Sequence, residues 1–153
     1  MQNKKQTRFI IWMTLAVVWV VVMLLFSGQS ADQSSEVSNR VTDLINSVLA
    51  FLHLKATVVD NVVRKIAHFV IFAVEGFLLH TAISHKTNRP YPRFAMAFVP
   101  CAVLAVLTEL EQLFAEGRGC KPMDMLIDAC GALVGILLSY LFRRVRSKPK
   151  ALP

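Results

Sequence analysis

The sequence predicts an all-α polytopic membrane protein, a four-helix transmembrane bundle with an amphipathic helix at its outer interface. Three observations predict it. The 153 residues are 55% hydrophobic, and the apolar residues lie in long blocks, not in the alternation of strands. Residues 9–26 form an uninterrupted apolar or neutral run, long enough to cross a bilayer as a helix. The net charge is +7, but the basic residues flank the apolar blocks, where they read as an orientation signal and not as a nucleic-acid surface. No nucleic-acid partner is expected, and the chain reads as one domain over residues 1–153.

The first span, 9–26, follows Lys4, Lys5 and Arg8. The apolar run is longer than that of a cleaved signal peptide. Ser27-Gly28-Gln29-Ser30-Ala31 is a poor cleavage site, so the segment is expected to remain as a helix. Trp19 lies too deep to belong to an interfacial belt. Residues 36–54 place Val37, Val41, Leu44, Ile45, Val48 and Leu52 at helical spacing, with Arg40, Asp43 and Asn46 off that stripe. Such a helix is too polar to span. It belongs flat on the interface or over the mouth of the bundle, or it is a plain surface linker helix.

The second span, 62–83, begins near Asp60, a fair N-cap. Lys65, His68, Phe72 and Glu75 share one of its faces, with Arg64 beside them. Glu75 lies about 10 Å deeper than His68 at the helical rise of about 1.5 Å per residue. A polar loop broken by Pro90 and Pro92 leads to the third span, 94–114, which is expected to bend near Pro100. Its far end carries Glu109, Gln112 and Glu116 on one face and Glu111 on another. The fourth span, 125–142, aligns Asp124, Asp128, Gly131 and Gly135. The Gly131/Gly135 pair permits close helix approach, and through it a homo-oligomer. A basic tail, 143–153, follows. Cys101 and Cys130 are expected as small core residues and Cys120 as a lone thiol in a turn. Three cysteines make no disulfide framework.

Orientation follows from the basic residues. With the N-terminus inside, the inner flanks hold Lys4, Lys5, Arg8, Lys86, Arg89, Arg93, Arg143, Arg144, Arg146, Lys148 and Lys150, eleven in all. The outer segments hold Arg40, Lys55, Arg64, Lys65, Arg118 and Lys121, which is six. Both termini are then cytoplasmic. Three helices place Arg64, Lys65, His68, Glu75, Glu109, Gln112, Asp124 and Asp128 on their outward halves, with Arg118 in the turn between the last two. An ionisable group at membrane depth costs about 2.5–3.5 kcal/mol, so such groups pair with one another and mark function. Glu75, Glu109 and Asp128 are therefore expected to face one another and not lipid. Structural roles stand beside this reading. Lys65 with Glu116 or Asp124 would make an ordinary interfacial ion pair, His68 a hydrogen-bonded structural histidine, and Asp124 a helix cap.

These residues resemble a known family. Arg64-Lys65-Ile66-Ala67-His68-Phe69 is similar to the opening motif of the VanZ-like membrane proteins. Thr108-Glu109-Leu110-Glu111-Gln112, Gly117-Arg118 and Asp124 through Asp128 to Gly131 resemble that family's acidic motifs. Ser27-Gly28-Gln29-Ser30 is similar to the exit from its first helix. Two positions depart. Thr108 stands where an Asp is usual, so a carboxylate pair there is not essential. Many members carry an acid where this chain has Ile71, and the resemblance puts Glu75 on the same helix face one turn later. The resemblance implies a role in the bacterial cell envelope and an association with resistance to the glycopeptide teicoplanin.

Three functions fit. The leading one is binding of membrane lipids or a lipid-linked envelope precursor, or another amphiphile, at the outward polar site, without catalysis. The second is a membrane enzyme on a lipid-linked precursor, using a carboxylate base with His68. The third is a small ion- or proton-coupled transporter. No nucleophile motif is present. Glu109, Asp128 and His68 would suit Mg²⁺ or Mn²⁺ if the fold joined them, but no spacing marks a metal site, and neither metal nor cofactor is expected.

Overall fold

The computed structural model describes residues 2–53, 59–87 and 89–147. Lys55, Lys148 and Lys150, and the tail from 148 onward, lie outside them. The described residues form five helices: α1 (Gln2–Ser27), α2 (Ala31–Phe51), α3 (Asp60–Ile83), α4 (Pro90–Gln112) and α5 (Pro122–Ser147). All but α2 are long and apolar enough to cross a membrane. The chain is an all-α multi-pass bundle.

Each span is longer than its apolar run suggests. Prolines explain one case. Pro90 and Pro92, expected in a loop, lie in the first turn of α4. The first N–H groups of a helix have no intrahelical acceptor, so proline costs little there. Pro100 sits inside the same helix, which continues through it. At α3 the capping position is Val59, which makes no side-chain cap, and Asp60 is already helical. Helix α2 is capped strongly. Ser30 Oγ accepts from Gln33 N, and Gln33 Oε1 accepts from Ser30 N, a reciprocal box that satisfies two orphan donors.

The closest packing is between α3 and α5. A Cβ at Gly135 would overlap the carbonyl of Ala73, one at Gly131 that of Phe69, and one at Gly76 that of Ala132. The glycines expected to meet a second copy of the chain are thus occupied by α3 of the same chain. Small residues suit this role because lipid offers no hydrophobic drive between helices, only close contact. Ala97, Cys101, Ala105, Ala132 and Ile136 continue the core, with Phe72, Leu79 and Met23. Cys130, by contrast, is exposed on α5.

Helix α1 packs mainly on α3. Trp19 Nε1 donates to the carbonyl of Ile71 at 3.0 Å, which explains a tryptophan too deep for the interface. Trp12 meets Phe77 edge-on at 6.3 Å. Ile10, Val17, Val21 and Leu25 are exposed and make up the lipid-facing surface. Replacing Trp19 by Phe removes the hydrogen bond and keeps most of the apolar area, so stability should fall by about 1 kcal/mol. Thermal melting in detergent measures this, and Trp12→Phe should melt nearer the parent.

Candidate functional site

One end of the bundle gathers the acidic residues. Its geometry begins with two turns that hold each other. Ser27 Oγ donates to Thr108 O at 2.9 Å. Arg118 Nη1 donates to the carbonyls of Ser27 and Gln29, at 3.1 and 3.3 Å. Ala31 N donates to Glu116 O at 2.9 Å. Gly117 takes φ 73°, in the left-handed region that favours glycine, and a Cβ there would press on Ala31. Glu111 lies against Gly28. The exit of α1 is therefore bolted to the α4–α5 turn, which fixes where α2 starts.

From that start α2 lies over the mouth of the bundle. Ser38 and Thr42 are buried on its inner side. Leu44, Val48 and Leu52 are exposed, as expected for an apolar stripe turned toward an interface. Beneath it is a cavity of about 220 Å³. Met23 and Phe26 wall it from α1, Val37 and Val41 from α2, and Ile71 and Phe72 from α3. Its polar lining includes Arg64, His68, Thr108, Gln112 and Arg118, with Ser27, Gln29, Ser34 and Ser38. Burial, then the charge of Arg64, pulls the Arg118 guanidinium below its usual pKa, while Glu109 and Asp124 push it up. A guanidinium so placed stays charged.

Behind His68 are two fully buried carboxylates, Glu109 and Asp128. His68 Nδ1 lies 3.1 and 3.4 Å from the two oxygens of Asp128. Glu109 Oε1 accepts from Gln112 Nε2 at 3.1 Å, and its Oε2 from Lys121 N at 2.8 Å. His68, Glu109 and Asp128 each offer one atom within 4.8 Å of the others. This is a donor set of the kind that holds a hard divalent cation, and here hydrogen bonds engage each of the three. Asp124 lies in the first turn of α5, not at its cap. One of its oxygens, Oδ1, is buried without a partner among the described residues.

The structure does not bring all the expected residues together. Glu75 is buried, at 2% exposure, and so turned from lipid. Among the described residues it does not join the Glu109–Asp128 group, and its Oε2 has no partner. Helix-face arithmetic gave its side of α3 correctly, but a two-turn offset carries it into a deeper layer. Ile71, not Glu75, lines the cavity. Lys65 is half-buried. Among the described residues no ion pair joins it to Glu116 or Asp124, and Glu116 is exposed.

Three contributors were not anticipated. Lys121 acts through its backbone N–H, and Ser27 and Thr108 through a hydroxyl-to-carbonyl bond. Side-chain chemistry in the sequence announces neither. The signal available was the Ser27-Gly28-Gln29-Ser30 exit itself, a polar stretch just where a span ends.

A family model described as VanZ/LLP1 matches residues 12–143. No curated protein and no solved structure matches the chain.

Proposed function

We propose, from the premise that the chain belongs to the VanZ/LLP1 family, that it binds a lipid-linked or amphiphilic molecule of the bacterial envelope in the cavity beneath α2. One observation carries this. The cavity joins an apolar wall, from Met23 and Phe26 to Ile71 and Phe72, to two guanidinium groups, Arg64 and Arg118. An acyl or prenyl chain fits the wall. A phosphate or carboxylate fits the arginines, which bind such groups with paired donors. The basic-residue asymmetry supports an outward-facing cavity, with both termini on the cytoplasmic side of the plasma membrane. Teicoplanin carries an acyl tail, so occupation or competition at this site would lower susceptibility to that class of glycopeptide.

The test fills the cavity without touching a charge. Val41→Trp and Ala67→Phe intrude from opposite walls. Titrating a polyprenyl phosphate into the purified protein should show affinity falling about tenfold for each variant, the effect of overpacking by about 1.4 kcal/mol. Leu44→Trp, which adds the same bulk on the exposed face of α2 outside the cavity, should bind as the parent does. In a Gram-positive host, expression should raise the inhibitory concentration of teicoplanin but not of vancomycin, which lacks the tail, and Val41→Trp should cancel the rise. Unchanged affinity in both filled variants would remove the cavity from the proposal.

A second reading is favoured by the His68–Asp128 contact. A carboxylate on Nδ1 fixes the imidazole so that Nε2 is the basic nitrogen, as an acid–base catalyst requires. On this reading the bound amphiphile would be turned over. Mass spectrometry of the incubated polyprenyl phosphate would show a product, lost in His68→Ala.

A further inference from the structure

The opposite end of the bundle has a second cavity, of about 430 Å³, lined by Arg8 and Trp12 of α1, Phe77, Thr81 and His85 of α3 and its exit, and Phe142 and Arg143 of α5. Arg8 and Arg143 come from opposite ends of the chain and meet only because α1 and α5 both pack on α3. Arg143 Nη2 donates to Ser84 O at 3.4 Å, which aims the group into the gap between the helices. Lys86 lies over the ring of Phe9, 4.7 Å from its centroid, so a further cation borders the cleft.

The charge here is one-sided. The stretches 2–31, 76–108 and 129–147 contain no Asp or Glu. They contain Lys4, Lys5, Arg8, Lys86, Arg89, Arg93, Arg143, Arg144 and Arg146. Burial, then the positive charges of Arg143, Arg8 and Lys5, holds the imidazole of His85 below its usual pKa. A topology signal requires only that cations lie on one side of the membrane. It does not require them to converge from α1 and α5 on one aromatic-walled cleft. Among the described residues of these stretches no carboxylate side chain faces the cations.

We propose that this cleft holds the phosphate of an anionic phospholipid, with Arg8 and Arg143 on the phosphate oxygens and the acyl chains against Trp12, Phe77 and Phe142. Arginine suits the role, because its planar fork meets phosphate with two parallel hydrogen bonds. The aromatic wall argues for a lipid over free phosphate. Phe142 is 56% exposed, so the wall continues onto the lipid-facing surface of α5. Basic pockets between spanning helices bind anionic headgroups in this manner. The site is separate from the one beneath α2, and its ligand is structural or regulatory.

The experiment uses the full chain in a neutral detergent and native mass spectrometry, with phosphatidylglycerol, phosphatidylcholine and inorganic phosphate as probes. Phosphatidylglycerol should bind and raise the melting temperature; the other two should do neither. Arg8→Gln with Arg143→Gln should weaken phosphatidylglycerol binding about thirtyfold, the combined loss of two arginine contacts. Lys4→Gln with Arg89→Gln removes the same charge from exposed positions outside the cleft and should bind as the parent does. Arg8 is exposed, so Arg8→Gln alone serves if the double variant does not fold, with about a fivefold loss expected. Equal weakening in the control pair would reduce the effect to diffuse surface charge and overturn the proposal. Equal stabilisation by inorganic phosphate would overturn the lipid assignment, and unchanged binding in the arginine variants would overturn the site.

Discussion

Gly135→Ala is expected to destabilise the purified protein by about 3 kcal/mol, the upper end for an overpacked site. The added methyl would lie inside the van der Waals envelope of the Ala73 carbonyl, with Phe77 N also in the way. All of these are backbone atoms, so no side chain can rotate to make room. The α3–α5 contact, the most extensive in the bundle, would have to open. That would also separate His68 on α3 from Asp128 on α5. Gly119→Ala is the control, since a Cβ there meets nothing within 4 Å. Thermal melting in detergent should separate the two variants clearly. If Gly135→Ala melts like Gly119→Ala, the close approach of the two helices is wrong.

The second large effect concerns Asp128 and Glu109, whose neutral isosteres should behave differently. Asp128 accepts from one donor atom, His68 Nδ1, with the nearer oxygen at 3.1 Å. Asn keeps a carbonyl oxygen for that contact, so Asp128→Asn should accumulate normally. Its loss should appear in ligand affinity, about 2 kcal/mol or roughly thirtyfold, because the charge that orients His68 is gone. Glu109 accepts on both oxygens, from Gln112 Nε2 and Lys121 N. Gln can satisfy only one of these donors and turns an NH₂ toward the other. Glu109→Gln should therefore lose about 1–3 kcal/mol of stability before function is considered. Asp128→Asn is the cleaner test. Parent-like affinity and glycopeptide phenotype in Asp128→Asn would make the buried carboxylates scaffold, a role in which replacing a buried pair is often tolerated.

Much of this arrangement was legible in the sequence. Four apolar runs gave the spans, and charge inside those runs marked His68, Glu109 and Asp128, because such groups survive at depth only when paired. Spacing gave their helix faces. It did not give the vertical offset between helices, which is why Glu75 reads as part of the cluster yet lies outside it. Nor did it say which helix faces Gly131 and Gly135, since a small-residue pair announces close approach without naming the partner. The seating of α2 was half visible. Its apolar stripe pointed to an interface, but the inward placement of Ser38 and Thr42 depends on where the bolted turn starts the helix. Backbone donors such as Lys121 N carry no residue-type signal.

The hydrogen bonds of Glu109 have a consequence for how the protein is made. Both of its partners, Gln112 and Lys121, lie within twelve residues of it along the chain. In any route that releases α4, its turn and α5 as a hairpin, this carboxylate travels with its own donors. It needs no help from helices already released. Asp128 depends instead on His68, sixty residues earlier, which has been synthesised and is waiting when α5 arrives. Insertion of the last two spans and assembly of the site are then successive events. The first is self-contained within the hairpin, and the second is completed when α5 docks on α3.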